Sequence, residues 1–268
     1  MEVIFLGTGT PNAEPDRSGP AVAVVAGGRP YLVDCGPGVV RRAVAAGLDP
    51  TRLRRVFLTH LHSDHAAGLP DLLLTPWTLG RVAPLELWGP PGVKAMAMHV
   101  AAAYEADVAN RLGGPEPAND TGYRVVAYEV APGVVYEDDA VKVEAFPADH
   151  GAWAAYGYRF SSPDRTIVIS GDTRPCAPLA DAARGVDILV HEVYSTQQLA
   201  KQHPAWRRYH ETMHTSAREL AALAADAKPK LLVLYHQLGW GATDEELAAE
   251  VKEGYGGQVV SANDLDVF

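Results

Sequence analysis

Short apolar runs separated by glycine- and proline-rich turns dominate the first third of the chain. Residues 1–6, 21–26 and 31–33 are such runs, and each is followed by a turn that contains glycine. Apolar runs of this length between turn residues are typical of buried β-strands. A further strand-like run, residues 55–59, leads directly into a group of histidines. Later runs with the same pattern predict strands at residues 85–88, 123–130, 141–146, 156–160, 166–170, 188–190 and 231–235.

Longer segments with helical composition alternate with these strands. Gly47 is suited to closing a helix at its carboxyl end, and Pro76 is expected to shorten or kink the helix that contains it. Ser216 and Glu219 form a Ser-x-x-Glu capping box, which marks a helix start. The predicted helices are residues 39–47, 69–79, 93–111, 178–184, 216–227 and 245–253.

The whole chain reads as one folding unit. Strands and helices follow one another without a repeat, a low-complexity segment or a linker-like stretch. This order indicates the α/β class and a single domain over residues 1–268, made of two β-rich halves with outer helices. An αββα four-layer sandwich is one such arrangement.

Composition is that of a globular protein. The 268 residues are 47% hydrophobic, which is enough to bury a large core. No stretch reaches the roughly 18 apolar residues of a membrane span, and the opening MEVI lacks the basic start of a signal peptide. We therefore expect a cytoplasmic protein in which Cys35 and Cys176 stay as thiols.

The net charge is −10 with histidine neutral. A charge of this sign creates no general field that attracts a long polyanion such as RNA. Five arginines cluster in sequence and could form a local basic patch, although a solvated helix face and turn is the simpler interpretation. They are Arg41, Arg42, Arg52, Arg54 and Arg55.

Three histidines and one aspartate lie within six residues at the end of the run 55–59. They are His60, His62, Asp64 and His65. Imidazole nitrogens and a carboxylate at this spacing are what a divalent metal ion requires. His60 and His62 alternate and can point to one side, whereas Asp64 and His65 are adjacent and suit a second ion. A polar turn with chance histidines is disfavoured, because cationic rings this close would repel one another.

Three more metal-type side chains also follow strand-like runs. They are His150, Asp172 and His236. Taken singly, each has another interpretation: a loop histidine, a turn-forming aspartate and a capped core histidine. Their recurrence at strand ends is what favours a site for two ions.

These motifs resemble the metallo-β-lactamase superfamily, whose signature is His-x-His-x-Asp-His followed by distant His, Asp and His residues. The match is close to its ribonuclease Z-like branch, which includes arylsulfatase-like and small phosphodiesterase relatives, and it spans nearly the whole chain. The segments that carry it are FLGTGTP (5–11), VDCGPG (33–38), FLTHLHSDHAAGL (57–69), GDT (171–173), VHE (190–192) and HT (214–215).

The resemblance implies the αββα four-layer fold and two bound divalent metal ions. Zinc suits a mixed histidine and aspartate set, and manganese or iron would fit the same ligands. Carried over to this sequence, the resemblance assigns His60, His62 and His150 to one ion, Asp64, His65 and His236 to the other, and Asp172 to a bridge between them.

Catalytic roles follow from the same resemblance. The two ions would turn water into hydroxide and stabilise the charge that gathers on the attacked atom. Asp64 could also orient that hydroxide. His214 would protonate the leaving oxygen, and Glu192 would fix the tautomer and orientation of His214. The alternative for His214 is an ordinary residue at a helix N-terminus.

Two features of ribonuclease Z are not visible in the chain. His236 is followed by QLGW rather than by a segment containing Arg-Tyr, and residues 151–171, between His150 and Asp172, leave no room for a tRNA-gripping arm. We therefore expect a hydrolase that uses metal-bound hydroxide on a small phosphodiester or related anionic ester. The expected partner is a small-molecule ester, with no membrane and no long nucleic acid.

Other activities of the fold stay open. A lactone, β-lactam, thioester or arylsulfate could be attacked by the same hydroxide, whereas tRNA 3′ processing and a non-catalytic or redox role are disfavoured. Residues 194–209 combine aromatic and basic side chains and could cap the active site, or form a surface segment or dimer contact. Related proteins are commonly homodimers, so we expect a homodimer.

Overall fold

The computed structural model describes all residues from 1 to 268, and the chain folds into two compact units. Each unit contains one β-sheet with its helices, in keeping with the two predicted β-rich halves. The single domain over residues 1–268 stays a prediction. Unit 1 comprises Met1–Gly7, Ala13–Val130 and Asp264–Phe268, and unit 2 comprises Thr8–Asn12 and Ala131–Asn263.

Unit 1 has six strands, which are β1 (Glu2–Gly7), β2 (Ala21–Ala26), β3 (Arg29–Val33), β4 (Arg55–Phe57), β5 (Leu85–Gly89) and β6 (Val125–Glu129). Its helices are α1 (Val39–Ala45), α2 (Ser63–Ala66), α3 (Leu69–Thr78), α4 (Val93–Ala103) and α5 (Glu105–Gly113), with a 3₁₀ turn at Pro50–Arg52. The strands lie in sequence order. β1 to β3 are antiparallel and β3 to β6 parallel. The parallel pairs need crossovers, and the helices lie in them.

The core of unit 1 fixes where its histidines begin. Leu32 of β3, Val56 of β4 and Leu87 of β5 belong to one buried cluster with Val40 of α1 and Leu72 of α3. Burying side chains of this kind stabilises the fold by about 1.5–3 kcal/mol each. Strand β4 is therefore held inside the sheet, and the loop after it starts from a rigid position.

Unit 2 has seven strands, which are β7 (Gly133–Glu137), β8 (Lys142–His150), β9 (Trp153–Ser161), β10 (Thr166–Ile169), β11 (Ile188–Tyr194), β12 (Leu231–Leu238) and β13 (Val259–Ser261). Its helices are α6 (Ala177–Ala182), α7 (Thr196–Leu199), α8 (Pro204–Met213), α9 (Ala217–Ala227) and α10 (Asp244–Lys252). Strands β7 to β10 are antiparallel and β10 to β13 parallel. Leu189 and Val193 of β11 pack with Leu220 of α9 and Leu247 of α10 in one buried cluster.

One helix prediction is wrong in detail. The segment 93–111 is two helices, α4 and α5, which meet at Tyr104. Glu105 and Asp107 in the first turn of α5 favour a new start, because carboxylates stabilise a helix N-terminus. Helix α3, predicted over residues 69–79, runs from Leu69 through Pro76 to Thr78, so Pro76 does not end it.

The capping box predicted at the start of α9 is confirmed. The Ser216 side chain accepts a hydrogen bond from the Glu219 backbone N–H, and the Glu219 carboxylate accepts one from Ser216. The pattern of apolar positions does not predict β7, β13, α7 or α8, which are short or largely exposed.

Arg81 is a buried cation that joins several segments of unit 1. Its side chain is 1% exposed. One terminal nitrogen donates to the carbonyls of Leu53 and Leu72, and the other donates to those of Leu73 and Gly122, at 2.7–3.0 Å. Burial lowers the pKa of Arg81 to about 10, so the guanidinium remains charged at neutral pH. It therefore ties α3 to the 3₁₀ turn and to the loop before β6.

We expect Arg81→Met to lower the free energy of unfolding by about 3 kcal/mol or more, because four buried carbonyls lose their donors. Urea unfolding followed by circular dichroism measures the change. Arg52→Met, at an exposed position at the end of the 3₁₀ turn, is the matched control and should change stability by less than about 0.5 kcal/mol. Equal effects of the two substitutions would contradict this role.

Candidate active site

The histidine motif of unit 1 lies in the loop that follows β4 and in the start of α2. His62 is the N-cap residue of α2, and Asp64 and His65 lie in its first turn. The Nε2 atom of His60 is 2.9 Å from Nδ1 of His62, and Nε2 of His65 is 3.4 Å from Oδ2 of Asp64. The rings of His60 and His65 are centred 4.2 Å apart. The four predicted side chains of this motif are thus together in one small volume.

Asp34 holds this motif in place and is a functional residue that sequence reasoning missed. Its carboxylate accepts from the backbone N–H and the hydroxyl of Thr59, and from Nδ1 of His65 at 2.8 Å. Burial raises the pKa of Asp34, and His65 and Thr59 oppose that shift. Nδ1 of His60 is 3.0 Å from the same Thr59 hydroxyl. With Nδ1 held in this way, each ring presents Nε2 as a potential metal ligand.

The loop 33–38 packs so closely on α2 that a side chain is excluded. A Cβ on Gly36 would lie 2.5 Å from the backbone oxygen of Asp64. The Cys35 N–H donates to the carbonyl of His65, and the Gly68 N–H donates to the carbonyl of Cys35. Asp34 adopts φ 63°, a left-handed conformation that costs energy for a residue with a side chain. The segment VDCGPG (33–38) therefore supports the histidine motif.

In unit 2, the predicted ligands converge on Asp172. His150 is the last residue of β8, and its Nδ1 is 2.8 Å from the carbonyl of Met213. Its Nε2 is 4.0 Å from Oδ2 of Asp172, and Nε2 of His236 is 3.6 Å from the same oxygen. All three residues are buried. One carboxylate oxygen is thus close to ring nitrogens from two other elements, as a bridging ligand requires.

A β-bulge aims His236 at this point. The register of β11 and β12 pairs Glu192 with Tyr235 and Val193 with Gln237, so His236 is the extra residue. It adopts φ 46°, and a bulge of this kind turns a side chain out of the regular alternation. His236 therefore lies within β12, not after it as the apolar run suggests.

His214 and Glu192 form a buried pair beside Asp172. His214 is the C-cap residue of α8, and its Nδ1 is 3.0 Å from Oε1 of Glu192. The same Glu192 oxygen accepts from the backbone N–H of Thr173 at 2.9 Å. Burial raises the pKa of Glu192, and the nearby His214 lowers it. Nδ1 of His214 is also 3.9 Å from Oδ2 of Asp172.

The donor sets of both units fit borderline-soft divalent cations. Imidazole nitrogens with carboxylate oxygens are the usual zinc ligands. Asp172, His214 and His236 offer ligand atoms that all lie within 4.8 Å of one another. His214 therefore has two chemically reasonable roles, as a metal ligand or as a proton donor held by Glu192.

Comparison with known proteins identifies the family. A family model described as "Beta-lactamase superfamily domain" matches residues 29–237. The chain is 36% identical over 279 residues to "Ribonuclease Z" of Mycobacterium marinum, covering 99% of this chain and 97% of the relative. It is 40% identical over 245 residues to "Ribonuclease Z" of a Mycobacterium species, strain KMS, covering 89% and 84%.

Solved structures support the same fold. The short form of human tRNase Z aligns over 100% of this chain and 98% of its own, with 25% identity and a TM-score of 0.75. The metallo-β-lactamase fold protein YhfI from Bacillus subtilis also has a TM-score of 0.75 over 100% and 98%, at 19% identity, which bears on the fold alone. The predicted α/β class, with its two sheets and helices, is confirmed.

The comparisons correct the expected substrate. The prediction of a small-molecule ester as the partner, with no long nucleic acid, is wrong. The relatives that match over nearly their full length are named ribonuclease Z and tRNase Z, which are names of enzymes that act on RNA. The net charge was a poor guide to the substrate because it is a sum over the whole chain. A substrate responds instead to the local electrostatic field at the site. No helix of the protein has the length and apolar character to cross a membrane. The cytoplasmic location and the homodimer stay predictions.

We expect Asp34→Asn to weaken metal binding about 10- to 100-fold, because the amide cannot hold both Thr59 and the His65 ring as the carboxylate does. Competition with a chromogenic chelator measures the affinity. Asp187→Asn removes a carboxylate that likewise accepts a backbone N–H, from Thr166 in unit 2, and should leave the affinity unchanged. An unchanged affinity in Asp34→Asn, with the fold intact, would contradict the supporting role.

Family, fold and ligand chemistry agree on the class of enzyme. The protein is a metal-dependent, phosphodiesterase-like hydrolase whose His and Asp clusters suit two metal ions, zinc being typical of such sites. The chain belongs to the beta-lactamase superfamily and has the metallo-β-lactamase fold.

Proposed function

We propose that the protein is a metal-dependent endoribonuclease that hydrolyses a phosphodiester bond in RNA, with precursor tRNA as the substrate class. The observation that carries this proposal is the 36% identity to a ribonuclease Z over 99% of the chain. The 25% identity to human tRNase Z over the full chain supports it. The paired His214 and Glu192 supply the acid that such a reaction needs.

The proposed metal ligands are those that the family signature assigns. Their support is the outer hydrogen bonds described above, in which Asp34, Thr59 and the Met213 carbonyl hold ring nitrogens of His65, His60 and His150. When bound, two divalent ions acidify a water and stabilise negative charge on the phosphate. The proposed set is His60, His62 and His150 for one ion, Asp64, His65 and His236 for the other, and Asp172 for both.

His214 is the proposed general acid. Its Nδ1 is 3.0 Å from Oε1 of Glu192; with Nδ1–H donating to this carboxylate, the protonated ring carries its second proton on Nε2. As water forms the new bond to phosphorus, the bond to the leaving oxygen breaks, and that oxygen takes the proton from Nε2. Glu192 stabilises the charged ring until transfer, and Asp64 orients the attacking water. The products are one phosphate end and one hydroxyl end.

The direct test incubates the zinc-loaded protein with a precursor-tRNA transcript and with an unstructured RNA of equal length. We expect a single cut in the precursor, lost on removal of metal by a chelator and restored by zinc, because the ions supply the attacking water and the charge stabilisation. Gel mapping of both product ends measures it. Failure of the metal-loaded protein to cut either RNA would overturn the proposed function.

A second prediction separates the two roles of His214. We expect His214→Ala to lower RNA cleavage about 10²- to 10⁴-fold, but to lower hydrolysis of a p-nitrophenyl phosphodiester far less, because nitrophenolate leaves without a proton. Initial rates on both substrates, with metal content by elemental analysis, measure this. His99→Ala, at an exposed position of α4, is the matched control. Equal losses on both substrates together with loss of metal would make His214 a ligand instead.

A further inference from the structure

One face of α8 carries a row of aromatic side chains beside His214. Trp206, Tyr209, His210 and Met213 follow the i, i+3, i+4, i+7 spacing of a single helical face. Trp206 is 58% exposed and Tyr209 is 39% exposed, whereas His210 is buried. Large aromatic rings are usually buried when they serve the core, so two exposed rings on one face indicate a contact surface.

The rings form a continuous path from the surface to the proposed acid. The ring of Trp206 stacks on that of His210 at 5.9 Å, and His210 is 5.4 Å from His214. Tyr209 lies edge-on to Trp206 at 5.8 Å and is 6.1 Å from His214. Trp240 backs His210 at 4.7 Å. We refer to Trp206, Tyr209, His210 and Trp240 as the aromatic surface.

The charges on this helix suit an anionic, planar ligand. Arg207 lies beside the aromatic face, about 100° around the helix from Trp206, whereas the exposed Arg208 lies on the opposite side of the helix. One carboxylate, that of Glu211, lies on the same helix. Guanidinium groups bind phosphate oxygens, and aromatic faces stack nucleobases. The rings together with the Arg207 guanidinium fit a nucleotide, whereas a purely apolar partner would desolvate that charge without pairing it.

We propose that the aromatic surface stacks the nucleobase on the leaving-group side of the scissile phosphate. This inference rests on the proposed function. An unpaired base lying on Trp206 and Tyr209 places the adjacent oxygen next to His214, which is the group that protonates it. Base stacking of this kind tolerates any sequence, because every base has a π-face. The surface therefore selects for an unstacked nucleotide at the cut and not for a particular base.

The test compares three precursor RNAs. One is unmodified, one has an abasic nucleotide on the leaving side of the cut, and one has an abasic nucleotide on the opposite side. The leaving side is the one whose product carries the new hydroxyl end. We expect Trp206→Ala to lower kcat/KM on the unmodified RNA on the order of 10- to 100-fold, and Trp206→Phe to restore most of it. On the RNA that is abasic on the leaving side, parent and Trp206→Ala should cleave equally.

The fluorescence of 2-aminopurine at the leaving-side position should be quenched by the metal-free parent protein and less by Trp206→Ala. Tyr104→Ala removes a comparably exposed ring, 40% exposed in unit 1, and should behave as the parent. Sedimentation of each variant shows whether the surface is instead a contact with a second copy.

The outcomes separate the stacking role from the proposed function. If the parent cleaves RNA and Trp206→Ala slows the unmodified RNA and the RNA that is abasic on the leaving side equally, or slows neither, the stacking role is overturned while the ribonuclease stands. Conversion of a dimer to a monomer by Trp206→Ala, without dependence on the base, overturns it too. If the parent cleaves no RNA, the proposed function fails and the stacking role fails with it.

Discussion

Two buried carboxylates, Asp34 in unit 1 and Glu192 in unit 2, determine how the functional imidazoles are held. Burial raises the pKa of both, and a buried charge without partners would be costly. Asp34 accepts hydrogen bonds from Thr59 and His65, whereas Glu192 has the Thr173 backbone and His214 at Oε1 and no hydrogen-bond partner at Oε2. Rotation of the His65 or His214 ring would remove one of the contacts of its carboxylate. The direction of each ring is therefore coupled to a buried carboxylate.

Backbone strain occurs at two residues of the candidate site. Asp34 and His236 both have positive φ although neither is glycine. Such conformations persist only where the surroundings over-determine them. For Asp34 the determinants are the strand before it and the close packing of Gly36 on the Asp64 backbone. For His236 the determinant is the one-residue register shift between β11 and β12. The strain is thus offset by sheet pairing, and its result is the direction of two side chains.

The local sequence pattern was sufficient to predict the candidate site residues that lie close together in sequence. The spacing of His60, His62, Asp64 and His65 at a strand end predicts a metal motif, because neighbours along the chain remain neighbours in space. Asp34 could not be found in this way, since its partners lie 25 and 31 residues away. The register shift that places His236 depends on the pairing of two strands, which apolar runs do not encode. The substrate prediction failed for a related reason. The total charge of the chain carries no information about where the charged side chains lie relative to the site.

Helix α8 shows why a segment without a strong apolar pattern is nevertheless ordered. Its last carbonyl, at Met213, accepts from His150, and its C-cap residue is His214. The same helix presents Trp206 about two turns earlier on the face that leads to His214. The helix thus contacts both histidines at its carboxyl end and carries the exposed Trp206 nearer its start. A polar, exposed helix in this position is therefore explained by the site that it supports and not by the core that it covers.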